Sequence, residues 1–503
     1  MTKRIAAAGL FLLVAIAAAG PIRSYDAFWH LAAGRWIVEH RAVPAQDPLA
    51  LASAKIPWIN GEWLYEVVLY ATHASDATTS FLNALLVAAI FTAGFLVASR
   101  QNEWPVALLA AAVAFAGASG RLGVRPSTAA ALLLVAAMGV LASRLSTTHM
   151  TIAYALLAAV WINVHPSALL APLIALLFGR WIAAIAGAAA LLINPYGWHA
   201  IRAPLELTSL VGSGEFVNAE WLPSAPSLFP LFYATGAAVV VALLMARDKR
   251  ANLWRFAMFA LLFALAARHV RNQGLYFAAL PMLVPPMRLR RDAIAIAALL
   301  PIGWVLVRDT HVLGVDAERF PIRAVAKLRL SGLEGNIYNV DQFGGLLEWT
   351  YYPERRVLTD GRNELFRDFI ADDALARKDS RAWRAMIEKY QVALAVDEYA
   401  AEKIEVLDVA SGERRALPAS LVRYRRRDWA LVAFDDAAMI FARRAAFPPG
   451  RLDGLEYRYL VPDDPGIGYA NEQIRNGARE EIARARREFG DIRVLRELES
   501  GAD

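Results

Sequence analysis

The sequence has no cysteine among its 503 residues, which excludes disulfides, thiolate metal sites and a cysteine nucleophile. It is also short of charge. Asp, Glu, Lys and Arg supply 20% of the residues against 57% hydrophobic ones, too apolar a balance for an ordinary soluble protein. Several chemistries lack their usual signature. There is no Gly-rich phosphate loop and no Asp-x-Asp pair of the kind that holds a nucleotide sugar. No nucleophile elbow supports a Ser–His–Asp hydrolase, and the scattered histidines offer no His-x-x-x-His pair for zinc.

What the sequence does contain is a series of apolar runs. They fall near residues 5–22, 80–99, 104–119, 126–143, 150–164, 166–178, 180–193, 229–246, 252–267, 272–286 and 292–308. Measured against the roughly 17–25 residues that cross a bilayer, they predict a polytopic α-helical membrane protein with about 11 transmembrane helices. The opening MTKRIAAAGLFLLVAIAAAG has the basic start, apolar centre and small-residue end of a signal peptide, and reads equally as a retained first span. Threading from an inside N-terminus leaves Arg100, Arg144, Arg180, ARDKR (246–250) and MRLRR (287–291) in the cytoplasm, as the positive-inside tendency requires. Membrane anchoring thus accounts for the net charge of +6, and no nucleic acid is expected as a partner. From residue 309 the composition turns charged and mixed. The expected organisation is a transmembrane domain over 1–308, an extracytoplasmic α/β domain over 309–444 and a charged helical tail over 445–503. The expected location is a bacterial cytoplasmic (inner) membrane, with the N-terminus inside and the C-terminal domain outside.

The same threading collects most acids and imidazoles on the outer side. The first outer loop, 23–79, should hold two juxtamembrane helices. In DAFWHLAAGRWIVEH, Trp29, Ala33 and Trp36 share a face, which predicts an amphipathic helix lying along the membrane surface. Asp26 and His30, four apart, share another face, and Pro44 and Pro48 end the element. In GEWLYEVVLYATH, Glu62, Glu66, Leu69 and His73 form one stripe, either a solvated face or a set of substrate contacts. A second outer loop, 194–228, opens on the turn Asn194–Pro195–Tyr196–Gly197 and carries His199, Glu215, Glu220 and Trp221. Arg121, Arg125, His165, Arg268, His269 and Arg271 stand at outer span ends. Arginines there either snorkel to lipid headgroups or clamp a phosphate through paired hydrogen bonds, and two pairs favour the clamp.

This layout resembles the GT-C superfamily of membrane glycosyltransferases, which use polyprenyl-phosphate-linked sugars. The shared features are an acidic residue just after the first span (here Asp26), a first outer loop of two helices, many spans and a C-terminal outer domain. More narrowly, the chain is similar to a bacterial group of integral membrane proteins with GT-C-like architecture. That similarity rests on Asp26, Trp29, His30, Gly34, Arg35, Asp47–Pro48, Glu62–Trp63, Glu66, Asn194 to Gly197, Glu220–Trp221, Gly344–Gly345 and Asp360–Gly361–Arg362. One departure matters. The superfamily often has two adjacent acids after the first span, whereas Ala27 follows Asp26, so a divalent metal has no support.

The resemblance implies a transferase in which Asp26, aided by His30, takes the proton of an acceptor hydroxyl. Arg268 and Arg271, with Arg121 and Arg125, would hold the departing phosphate. Glu62, Glu66, His165, His199, Glu220 and His269 would complete the substrate site. The implied partners are a polyprenyl-phosphate-sugar donor, a glycan or lipid acceptor and membrane lipids, without a cofactor. A transporter or flippase of lipid-linked intermediates is the alternative, although it calls for polar mid-span residues and broken helices in repeats. A non-catalytic envelope assembly protein is a third. In the C-terminal part GNIYNV, RRVLTD, VALAVD and WALVAF read as strands, set against a helical DDALARKDSRAWRAMIEKY. Asp360–Gly361–Arg362 reads most simply as a capped turn, otherwise as a contact for a glycan or the membrane domain, and the tail as a solvated helix.

Overall fold

A computed structural model describes residues 3–212, 219–287, 291–400, 403–407, 412–466 and 471–502. Glu215 and the middle of the 287–291 connection lie outside the described residues. The chain folds into two compact units. One comprises Met1–Ser24, Ala33–Val43 and Ile59–Val315; the other Tyr25–Ala32, Pro44–Trp58 and Asp316–Asp503.

The first unit is helical. Every apolar run of the sequence becomes a helix, among them Lys3–Ala18, Asp76–Ala98, Trp104–Ala118, Pro126–Leu141, Thr147–Ile162, Pro230–Met245 and Leu253–Arg268. Among the described residues one helix, Asp76–Ala98 with 23 residues, is both long and apolar enough to cross a bilayer unaided. Local chemistry sets where the helices begin. Ser75 and Ser146 cap helices by accepting the amide hydrogens of Thr78 and His149. Pro126 and Pro230 open others at the first turn, where a missing N–H costs nothing. The packed centre mixes aromatic and small residues. Phe91, Phe115, Phe232, Tyr276 and Phe277 are fully buried, and Gly117 lies against the Phe277 ring where a Cβ would collide with it.

The second unit contains six strands: β1 (Asn336–Asn339), β2 (Val392–Glu398), β3 (Lys403–Leu407), β4 (Arg414–Pro418), β5 (Trp429–Phe434) and β6 (Ala438–Arg443). Four of them form a sheet in the order β1-β2-β6-β5, with β1 parallel to β2 and the other pairs antiparallel; β3 and β4 form a separate hairpin. The continuous apolar runs of β2 and β5 fit strands covered on both faces. RRVLTD, expected as a strand, is not one. Val357 makes single bridges to Ala50 and Ile337 before the chain turns at Asp360. The tail is not simply solvated either. The helix Glu472–Phe489 buries Ala478, Ile482, Ala485 and Phe489 at three- and four-residue spacing, and the Phe489 ring lies 5.3 Å from that of Phe434.

The helix Asp26–His40 departs from the surface-lying helix that its indoles suggested. Residues 27–34 are buried without a break, because small side chains let neighbours approach from every side. Tyr25 and Phe28 pack on the Phe320 ring at 5.1 and 5.2 Å. A Cβ on Gly345 would come within 2.7 Å of the Trp29 amide nitrogen, and Gly34 lies under the backbone of Glu66.

Gly344 is the tightest of these close approaches. Its helix, Asp341–Tyr351, packs backbone to backbone on the 359–360 segment, and a Cβ there would run into the Thr359 carbonyl and approach Asp360 Cα to 2.7 Å. Gly344→Ala should therefore lower stability by about 1–3 kcal/mol, seen as a reduced thermal midpoint of the purified protein. An unchanged midpoint would contradict this packing.

Candidate functional site

In the helical unit, polar side chains gather where helices end. The helix Trp63–Thr72 starts at Glu62, whose amide donates to Asn60 Oδ1 at 3.1 Å. Trp63 Nε1 donates to Asn163 Oδ1 at 2.7 Å, and Asn163 Nδ2 donates to the Ile193 carbonyl at 2.8 Å. These bonds tie the 60–63 segment to the segments around residues 163 and 193. Asn194 then accepts the Tyr196 amide at 2.8 Å and closes the turn read from the sequence.

Glu62 Oε1 consequently lies 3.8 Å from His165 Nε2. His165 Nδ1 accepts the Ser167 amide at 3.0 Å, so the ring proton sits on Nε2 and points toward Glu62. Burial, then the charges of Arg271 and Arg125, push the His165 imidazole down to about 3. It is a neutral donor at physiological pH.

Arg125 pairs with Glu220 through Nη1 and donates from Nε to Ser24 Oγ at 3.1 Å. Arg271 lies 4.5 Å over the Trp221 ring, and Arg121 lies 5.3 Å over that of Phe229. Burial alone would raise the Glu220 carboxyl, but Arg125, Arg271 and Arg121 together hold it below its ordinary value. His269 Nδ1 meets the Trp221 carbonyl at 2.6 Å and so fixes the turn that carries Glu220. Glu62, His165, Arg121, Arg125, Glu220, His269 and Arg271 thus form one neighbourhood.

Three expected members fall elsewhere. Glu66 is fully buried and accepts a 2.6 Å bond from Asn60 Nδ2; it faces protein, not the solvated stripe. His199 is exposed, with Nδ1 at 3.2 Å from the Tyr196 carbonyl. Arg268 is exposed at the last turn of Leu253–Arg268. It does not pair with Arg271, because His269 between them is extended (φ −141, ψ 121) and redirects the chain. The same unit holds an apolar cavity of about 600 Å³ lined by Phe229, Phe232, Phe277 and Trp304, with guanidinium groups from Arg121 and Arg308. Arg308 is a residue that sequence reasoning missed, since a terminal arginine of an apolar run looks like an ordinary anchor.

The second unit carries its own polar assembly. Asp26 opens its helix, and Trp29 Nε1 donates to Asp26 Oδ1 at 3.4 Å. His30 is buried with its ring tilted by 35° against Trp29, centroids 3.5 Å apart. Arg362 is sealed from water. It bonds Asp47 at 3.0 and 3.2 Å and Asp360 at 2.9 Å, with its guanidinium 4.4 Å over Trp58 and 5.3 Å over Trp29. Burial would lower its affinity for the proton, but the Asp360 and Asp47 carboxylates reverse that and raise it well above the ordinary value. Glu348 is buried 3.7 Å from Arg362 Nη2, and neither carboxyl oxygen has a hydrogen-bond partner among the described residues. Burial, then Asp360 and Asp47, push Glu348 well above the carboxylate range despite Arg362. The capped turn expected at 360–362 exists, with Asp360 Oδ1 accepting the Arg362 amide at 2.8 Å. Its arginine side chain, however, turns into the core.

Ala27 follows Asp26, and among the described residues no three carboxylate or imidazole groups converge as a metal site.

No family profile and no curated protein matches the chain. Solved structures do. The archaeal oligosaccharyltransferase AglB from Archaeoglobus fulgidus, in complex with an inhibitory peptide and a dolichol-phosphate, aligns with a TM-score of 0.51 at 12% identity, over 79% of this chain and 70% of that one. An oligosaccharyltransferase of the same organism in the apo form gives 0.51 at 11% identity with the same coverage. ArnT from Cupriavidus metallidurans, bound to undecaprenyl phosphate, covers 89% of this chain and 98% of its own at 11% identity and a TM-score of 0.49. At these identities the AglB likeness is one of fold.

Two titrations check the electrostatics. The His165 imidazole should show no titration between about pH 5 and 8 by NMR, and a midpoint near that of free histidine would refute its buried setting. Glu348 binds its proton more tightly folded than unfolded. Its stabilising contribution is therefore complete below the ordinary glutamate value and is lost as pH rises through the folded value. Glu348→Gln should flatten the fall in thermal midpoint as pH rises above the ordinary glutamate range; parallel curves for variant and wild type would refute the raised Glu348 carboxyl.

Proposed function

From the GT-C fold that this chain has, we propose that it transfers a sugar from a polyprenyl-phosphate-linked donor to a cell-envelope acceptor, on the outer face of a bacterial cytoplasmic membrane. The observation that carries this reading is the arginine cluster of the helical unit. Arg121, Arg125 and Arg271 surround one carboxylate, Glu220, beside a neutral His165, and so leave positive charge available to an anion. The likeness to AglB, solved with a dolichol-phosphate, supports a lipid phosphate as that anion.

The reaction asks for few parts. The acceptor oxygen bonds to the anomeric carbon while the bond from that carbon to the phosphate oxygen breaks, its electron pair leaving with the lipid phosphate. The hydroxyl proton passes to a carboxylate. Guanidinium groups that meet the growing phosphate charge lower the barrier, since they are stronger partners for it than for the esterified donor. Asp26 is assigned the proton from its place directly after the first apolar helix, and Glu62, with its His165 neighbour, is assigned to hold acceptor hydroxyls. No nucleotide sugar enters the scheme.

Asp26→Asn should lower transfer by about 10²–10⁴-fold. Arg271→Ala should weaken use of the lipid donor, and Glu62→Gln use of the acceptor. Loss of a surface glycan in cells, at unchanged protein abundance, is the first measurement; labelled lipid-linked sugars in isolated membranes are the second. Full activity of all three variants would overturn the assignment.

A further inference from the structure

Four motifs that the sequence shows far apart meet in the second unit: Asp26 to His30, Asp47–Pro48, Gly344 to Glu348, and Thr359 to Arg362. We propose that Gly361 and Trp29 position the Asp26 carboxylate, and that the sealed Arg362 cluster holds both of them in register. The inference rests on Asp26 being the base.

The position of Gly361 is decided by space. Its φ lies outside the left-handed region, so alanine is acceptable to its backbone. Yet a Cβ there would sit 3.0 Å from Asp26 Oδ1 and 3.9 Å from Trp29 Nε1. The turn backbone is thus a wall against which the carboxylate rests, and any side chain larger than hydrogen displaces it.

That wall is rigid. Asn339 Nδ2 donates to the Thr359 carbonyl at 2.7 Å, and Asn339 Oδ1 accepts the Leu358 amide at 3.0 Å. Asp360 and Asp47 grip the Arg362 guanidinium, and Asp47 also takes the Leu49 amide at 3.1 Å. Gly344 presses the neighbouring helix onto Thr359 and Asp360 from behind. The opposite partner of the carboxylate is equally fixed. The Trp29 indole packs at a tilt against His30, lies edge-on to Trp58 at 6.5 Å, and has Arg362 over its ring. Its N–H is therefore aimed, and a donor 3.4 Å away at Asp26 Oδ1 loses strength steeply with further displacement. Arg362 is assigned a positioning role. It sets the indole on one side and the glycine on the other, which is how a supporting shell fixes a reacting group.

The test uses the full-length protein in lipid nanodiscs with Gly361→Ala and Trp29→Phe, beside wild type and Asp26→Asn. With undecaprenyl phosphate carrying a radiolabelled hexose as donor probe, both variants should lose about tenfold in kcat with KM and thermal midpoint unchanged. A merely structural role would move the midpoint instead. If Asp26→Asn abolishes transfer while Gly361→Ala and Trp29→Phe keep wild-type kcat, this inference falls and the transferase reading stands. If Asp26→Asn is fully active, the transferase assignment of Asp26 falls first. A measurement free of substrate decides the geometry in every case. The indole N–H signal lost in Trp29→Phe should move in both Asp26→Asn and Gly361→Ala, more than the signals of the other tryptophans among the 14. A signal that stays in place in both variants overturns the proposal.

Discussion

The constraint on which the second unit depends is the burial of one guanidinium. Removing an ion from water carries an effective penalty of several kcal/mol, and Arg362 is offset only by partners in a fixed geometry. Two carboxylates bond it in the plane of the guanidinium while indoles cover its faces. Asp47 and Asp360 lie over three hundred residues apart in the chain, so the pair fixes a long-range register that apolar packing alone would leave loose. Burial first, and then the Asp360 and Asp47 carboxylates, explain why the Glu348 carboxyl stands well above its ordinary value. Both motif glycines of the helix Asp341–Tyr351 follow from the same closeness, because no Cβ fits between that helix and its neighbours.

The helical unit solves a different problem. Its helices are apolar along their length, so each charged group must find a partner at an end. Arginines there are covered by aromatic rings or paired with acids, as Arg271 is by Trp221 and Arg125 with Glu220. The loop anchors at Asn60, Asn163 and Asn194 hold these ends together with bonds of ordinary length. Such a cluster is preorganised: its dipoles and charges are oriented before any substrate arrives, the arrangement in which electrostatic stabilisation is most effective.

Legibility in the sequence followed the range of the interaction. Helix positions were readable because apolar runs report a local property, although the serine-capped helices Asp76–Ala98 and Thr147–Ile162 begin before those runs do. The continuous strands β2 and β5 were readable for the same reason, while β6, beginning at Ala438, was hidden behind the turn at Asp435. The pairing of Arg271 was misread. Spacing placed it with Arg268, and only the extended backbone at His269 separates them. Glu66 looked like one of a solvated stripe because helical spacing shows which residues share a face, not what covers that face.

The sequence by itself determined that this is a cysteine-free chain of long apolar helical runs with a mixed C-terminal unit, and that acids and arginines gather between those runs. Those are sums over neighbouring residues, and composition carries them. Tertiary structure decided which charges meet: Arg362 with Asp47 and Asp360, Arg125 with Glu220, His165 with Glu62. It also decided what a side chain at position 361 would meet, the Asp26 carboxylate oxygen at 3.0 Å. Contacts of that kind depend on loop closure over hundreds of residues and on desolvation, and neither leaves a periodic trace along the chain.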